Sequence, residues 1–292
     1  MKIQGSIVAL VTPFKNNDID YNAVDRLLKF HLESKTDGIL LCGTTGESPV
    51  LASDEKEYFV RYVIQKIEGK LPIMVGTGTN NLSKTISSTL KAQQLGAGQA
   101  LVITPYYNKP NQKGMYYYFK KVAEETDIPI VIYNVPGRTG VNISAETTIR
   151  LAEDCRQIVA IKEASGNLAQ ITQIIKYAPK DFSVLSGEDM LNLPIMCCGG
   201  KGAVSVTANV VPEMMSKLIN YCLKKDYDKA LKIHLDLLEI NKMLFIDTNP
   251  IPVKESLHLM GYIEREIRLP LYFLENDTLE EVEKVLREYK LI

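Results

Sequence analysis

Lys162 ends the apolar run IVAI (158–161) and is followed at once by EASG (163–166), so a primary amine closes what reads as a buried strand. Two readings fit that position. The lysine either pairs with Glu163 or reaches out to water at the strand end, or it is a desolvated amine that attacks a carbonyl and forms a Schiff base. A free lysine, with a pKa of about 10.4, is almost wholly protonated at neutral pH. Apolar surroundings raise the neutral, nucleophilic fraction. Tyr133 ends a second such run, PIVIY (129–133). A phenol there either packs with its hydroxyl on a loop carbonyl or carries protons for an amine adduct. Arg138 lies on the loop NVPGRTG (134–140), as a loop ion pair or as a planar clamp for a substrate carboxylate.

Two further turns carry polar groups. In GTTGES (43–48), two glycines bracket Thr44 and Thr45. Paired hydroxyls and free backbone N–H groups of that kind form a nest for an oxyanion or carboxylate. The turn is neither GK[ST]-terminated nor GxGxxG, so nucleotide binding has no support. TPYYN (104–108) adds the phenols of Tyr106 and Tyr107. The three histidines are the usual acid–base groups, and none qualifies. His31 and His234 fall on apolar stripes of helical segments, and His258 lies in the C-terminal tail. Neither a histidine mechanism nor a metal site is expected, and no cofactor is implied.

The elements that position these groups follow from the pattern of apolar runs. There are eight: 7–11, 38–41, 72–76, 99–103, 129–133, 158–161, 182–186 and 202–206. They are continuously apolar rather than alternating, as parallel strands covered on both faces are. Helical spacing fills the gaps: Val60, Val63, Ile64 and Ile67, and Met215, Leu218, Ile219 and Cys222, each sit at i, i+3, i+4, i+7. Leu168, Ile171, Thr172 and Ile175 repeat the spacing with one polar member. Asp20 and Ser144 are placed to cap helices. Eight strand–helix units predict an α/β protein with a (β/α)8 TIM barrel, for which about 250 residues is typical; a doubly wound sheet is the alternative. In a barrel, groups at the C-terminal strand ends face the active site. The strand signal stops near residue 225. Leu231, Leu235 and Leu238 then make one helical stripe, and Leu279, Val282 and Leu286 another. The predicted domains are a barrel over 1–225 and a small C-terminal α-helical domain over 226–292.

Composition sets outer limits. With 34 Lys+Arg against 35 Asp+Glu, the formal charge is −1, which gives no basic arm for nucleic acid and no acidic tail. No apolar run approaches a membrane span, and the run at 7–11 reads as a first strand rather than a signal peptide. The 5 cysteines are odd in number and lack CxxC spacing. Reduced thiols and a cytoplasmic location are expected.

Together these strings resemble the dihydrodipicolinate synthase / N-acetylneuraminate lyase family of class I pyruvate aldolases. The likeness runs along the chain: GSIVALVTPF (5–14), GTTGES (43–48), GTGTN (76–80), TPYYN (104–108), YNVPGRTG (133–140), IKEASGN (161–167), SVTAN (205–209) and NPIPVK (249–254). It implies the same barrel and helical domain. It also implies that Lys162 forms a Schiff base with pyruvate and that Tyr133 shuttles protons, with Thr44 and Tyr107 completing the relay. Tyr107 would be supplied across a dimer interface, in a homotetramer built from two tight dimers. Thr45 would hold the pyruvate carboxylate, and Val204 would contribute a backbone carbonyl near the lysine. Arg138 would clamp aspartate semialdehyde; an arginine there marks the branch that condenses pyruvate with L-aspartate 4-semialdehyde to 4-hydroxy-tetrahydrodipicolinate, leading to diaminopimelate and lysine. Another pyruvate aldolase, such as a sialic acid or keto-sugar-acid lyase, is the nearer alternative, and a non-catalytic ligand-binding domain the farther one. Lysine-inhibited family members bind that end product in a cleft formed by residues matching Ser48, Asn80 and Tyr106. Where the sensitive members have His, His and Glu, this sequence has Ser53, Lys56 and Lys84, so weak or absent inhibition is expected.

Overall fold

Short β-branched segments that are apolar on both faces must be covered on both faces, and closing a sheet on itself under a layer of helices does this. The computed structural model describes residues 3–292. In chain order its strands are β1 (Gly5–Ala9), β2 (Phe14–Lys15), β3 (Asp18–Ile19), β4 (Gly38–Leu41), β5 (Ile73–Gly76), β6 (Gln99–Ile103), β7 (Ile130–Asn134), β8 (Ile158–Glu163), β9 (Ser183–Ser186) and β10 (Gly202–Ser205). Strands β1 and β4 to β10 form one closed barrel, parallel throughout, with β10 sealing it against β1. Closure rules out the doubly wound sheet. Strands β2 and β3 make a separate antiparallel hairpin that the apolar runs did not announce. The first barrel strand also starts and ends two residues earlier than the run at 7–11.

Strand phase then decides which side chains enter the barrel. Ile7, Leu40, Met74, Leu101, Val131, Ala160, Leu185 and Val204 pack together as the interior. Successive strand residues point to opposite faces, so Tyr133 and Lys162 share the inward side with Val131 and Ala160. Asn134 and Glu163 face the helices. The polypeptide thus alternates a reactive inward group with a structural outward one at two adjacent strand ends.

The helices begin where their caps are. The Asp20 carboxylate accepts from Ala23 N at 3.0 Å, starting the helix Tyr21–Glu33. Ser144 Oγ accepts from Thr147 N at 3.1 Å, starting the helix Ala145–Asp154. Val60, Val63 and Ile67 are buried on one helix, and Met215, Leu218, Ile219 and Cys222 on another. Beyond the barrel, one stripe is corrected. Leu231 and Leu235 are 46% and 58% exposed, on the outer side of the helix Tyr227–Asp236, which the helix Leu238–Met243 follows at once. The buried stripe lies one residue earlier, on Ala230, Leu237 and Ile240, and keeps its helical spacing across Leu237. The last stripe keeps its phase, with Val282 and Leu286 buried on the helix Asn276–Glu288. A single apolar core joins Met215 and Leu218 to Leu237, Ile251, Val253 and Leu257, so no break in packing coincides with residue 225. No helix among the described residues is long and apolar enough to cross a membrane.

Candidate active site

Tyr133 and Lys162 are register partners on β7 and β8. Neighbours in a parallel ladder point the same way, and the Lys162 ammonium lies 4.3 Å from the centroid of the Tyr133 ring. Both side chains are buried, at 6% exposure each. The lysine therefore does not snorkel. Nor does it pair with the adjacent carboxylate, because Glu163 points away, into a cage of donors. Asn134 Nδ2 reaches its two oxygens at 3.0 and 3.1 Å, Gln170 Nε2 donates at 3.0 Å and Ser165 N at 2.9 Å. Burial raises the Glu163 pKa above the ordinary carboxylate value, and these hydrogen bonds oppose the rise.

Thr44 and Tyr133 line a cavity of about 450 Å³ that also meets Ser48, Lys56 and Tyr106. Thr45 is buried, and its Oγ1 accepts from Asn249 Nδ2 at 3.1 Å. Arg138 is exposed on the short helix Pro136–Thr139, where Nη2 donates to the Asn249 carbonyl at 3.1 Å. Val204 is buried inside the barrel and pairs with Ile7. Lys162, Thr45, Arg138, Val204 and Tyr107 are not among the residues that line this cavity, and Tyr107 stands apart by its exposure, 89%, with φ +68°. The histidines stay out of it too. His31 is buried against Thr36 Oγ1, 3.1 Å from Nδ1, and His258 Nδ1 lies 3.1 Å from the Ile263 carbonyl.

A family model described as the dihydrodipicolinate synthetase family matches residues 2–289. The chain belongs to the dihydrodipicolinate synthetase family. Relatives named 4-hydroxy-tetrahydrodipicolinate synthase agree with it along their whole length. That of Aquifex aeolicus (strain VF5) is 46% identical over 99% of this chain and 98% of its own. That of Hydrogenobaculum sp. (strain Y04AAS1) is 47% identical over 99% of this chain and 100% of its own. Among solved structures, the Aquifex aeolicus dihydrodipicolinate synthase superposes with a TM-score of 0.98 at 46% identity, covering 99% of each chain. A structure at 43% identity, with a TM-score of 0.97 over 99% of this chain and 97% of its own, is described as the first monomeric dihydrodipicolinate synthase variant.

Within this family member, the structure adds residues at the site that the sequence reading passed over. Gly187 follows β9, and a Cβ built there would lie 3.0 Å from both Cε and Cγ of Lys162 and 2.8 Å from the Ala164 Cβ. The glycine leaves room for the lysine chain. Glu188, next along, is half-buried. Burial first, and Asp189 second, push its carboxyl above the usual range, while Lys162 pulls it back. Asn249 opens the string NPIPVK; its side chain and carbonyl touch Thr45 and Arg138. None of these carries a local signature. A glycine after a strand and an asparagine before a proline read as ordinary turns.

Proposed function

We propose that Lys162 is the amine through which this chain condenses pyruvate with L-aspartate 4-semialdehyde to give 4-hydroxy-tetrahydrodipicolinate. The observation that carries this is the buried lysine at a barrel-strand end, over the Tyr133 ring, with its neighbouring carboxylate turned outward. The amine adds to the pyruvate ketone, and loss of water gives an iminium. Loss of a methyl proton gives the enamine, whose carbon attacks the aldehyde. The amino group of the second substrate then displaces Lys162 and closes the ring.

Tyr133 moves the protons, with Thr44 beside it at the cavity wall. Thr45 holds the pyruvate carboxylate by hydroxyl and backbone N–H, and Val204, buried in the barrel interior, contributes a backbone carbonyl to the site. Arg138 clamps the carboxylate of the aldehyde substrate; its exposed guanidinium at the rim favours that substrate over a polyol. Tyr107 joins the relay from a second copy, which its exposure supports, and the assembly is a homotetramer of two tight dimers. The five free cysteines suit a cytoplasmic location. The reaction needs neither metal nor cofactor, and the division at 225/226 marks where strand–helix repetition ends.

Incubation with pyruvate and borohydride tests the central step. A reduced pyruvyl adduct on Lys162 is expected by mass spectrometry, and its absence would overturn the Schiff-base assignment. Sedimentation showing a fully active monomer would remove Tyr107 from the relay.

A further inference from the structure

Glu47 closes the turn that presents Thr44 and Thr45: its backbone N–H donates to the Thr44 carbonyl at 3.0 Å. Its φ of +52° is left-handed, a conformation that a residue with a Cβ keeps only where its surroundings impose it. Those surroundings come from the other end of the chain. Lys254 Nζ lies 2.6 Å from Glu47 Oε1, with the two side chains 4% and 1% exposed. Glu47 Oε2 accepts from Arg268 N at 3.3 Å.

Lys254 braces the turn by a second route. Nζ also donates to the Thr12 carbonyl at 3.1 Å, and Thr12 Oγ1 donates to the Gly46 carbonyl at 2.7 Å. The Phe14 ring, its centroid 4.2 Å away, covers the ammonium. The two residues after Thr45 are thus tied to one lysine, Gly46 through Thr12 and Glu47 directly. A buried ion pair is a poor source of stability, since desolvation offsets the attraction and an apolar pair of the same shape serves as well. What it supplies is direction, a fixed contact between two segments 207 residues apart.

We propose that Lys254 is a positioning residue for the Thr44–Thr45 turn, setting through Glu47 and Thr12 where that turn meets the substrate carboxylate. The proposal rests on the assignment of Thr45 to pyruvate. The same segment reaches Thr45 directly through Asn249, so the C-terminal helices frame the binding site as well as covering the barrel.

The decisive variant is Glu47→Gln/Lys254→Met, which removes both charges and leaves no orphan carboxylate, compared with Lys254→Met and Thr45→Val. The readouts are the pyruvate concentration that half-saturates borohydride trapping, the KM for aspartate semialdehyde, and Tm. The double variant is expected to need at least about tenfold more pyruvate, while the aldehyde KM moves less than about threefold. Lys254→Met is expected to match or exceed that shift. If the double variant binds pyruvate normally, loses both substrates equally or does not fold, Lys254 only maintains the fold and the proposal falls. Thr45→Val separates the two readings. If it leaves trapping unchanged, the carboxylate assignment fails; if it weakens trapping and the double variant does not, only the role of Lys254 fails.

Discussion

Tyr133 shares a ladder position with Lys162, which sets its ring against the lysine nitrogen. A positioned proton carrier contributes about 10²–10⁴ in rate. Tyr133→Phe is therefore expected to lower kcat by about that factor while pyruvate still traps on Lys162, more slowly; wild-type turnover would refute the role. Gly187 acts on the same lysine by shape. A methyl there would sit 3.0 Å from the Lys162 side chain and 2.8 Å from Ala164, and overpacking of this kind costs about 1–3 kcal/mol. Gly187→Ala should slow adduct formation roughly tenfold, by the part of that energy borne by the lysine rotamer. Equal trapping rates in variant and wild type would show that the chain moves aside freely.

Among the elements, the helix Tyr21–Glu33 couples its burial to pH. Its apolar stripe includes His31, wholly buried. Burial lowers its pKa from 6.5 to about 3. Below about pH 6.5 the unfolded chain takes up a proton that the folded chain refuses until about pH 3. The unfolded state then binds more protons, and stability falls as pH falls, by up to about 1.4 kcal/mol per unit from this one group. His31→Leu should flatten the acid side of the stability curve by that slope. Urea unfolding between pH 5 and pH 7 measures it, and an unchanged slope would mean that His31 does not carry the dependence. Elsewhere, Asn134, Glu163 and Gln170 bond across β7, β8 and the helix Leu168–Tyr177. That lattice fixes the two strand ends whose inward residues are Tyr133 and Lys162.

At the scale of the whole molecule, the cavity beside Thr44 holds Ser48 and Tyr106 in its wall, two of the positions that match the cleft of lysine-inhibited relatives. Lys56 lines it, half-buried, and pairs with no carboxylate within 4.0 Å among the described residues; burial pushes its ammonium below the usual range. Lys84 is exposed and absent from the lining, and Lys91 in that lining is paired with Glu57 at 3.2 Å, so the expected repulsion of a bound lysine rests on Lys56. One like-charge contact at about 4 Å, with an effective dielectric near about 20, is worth up to about 4 kcal/mol before screening. About a third of that weakens binding roughly tenfold. Weak or absent inhibition by L-lysine is expected in a rate titration at fixed substrates. Half-inhibition at submillimolar concentration, on the order of 10⁻⁴ M, would show the cleft to be competent.

The barrel and the inward pair at its rim were legible in the sequence because both are local. A continuous apolar run states that a strand is covered on both faces, and a polar residue at its end states where the cover stops. The caps Asp20 and Ser144 were legible for the same reason, each bonding three residues ahead. Periodicity names the apolar side of one element but says nothing of what covers it. Packing chose the stripe of Ala230, Leu237 and Ile240, one residue earlier than the leucines, and left Leu231 and Leu235 outside. Strand alternation turns Glu163 away from Lys162, but the donors that satisfy it there come from three segments. Asn249 meets Thr45 across 204 residues and Arg138 across 111, and Lys254 meets Glu47 across 207. Such partners are chosen when the whole chain buries its core at once, and each buried charge must then find its counterpart wherever packing has brought it.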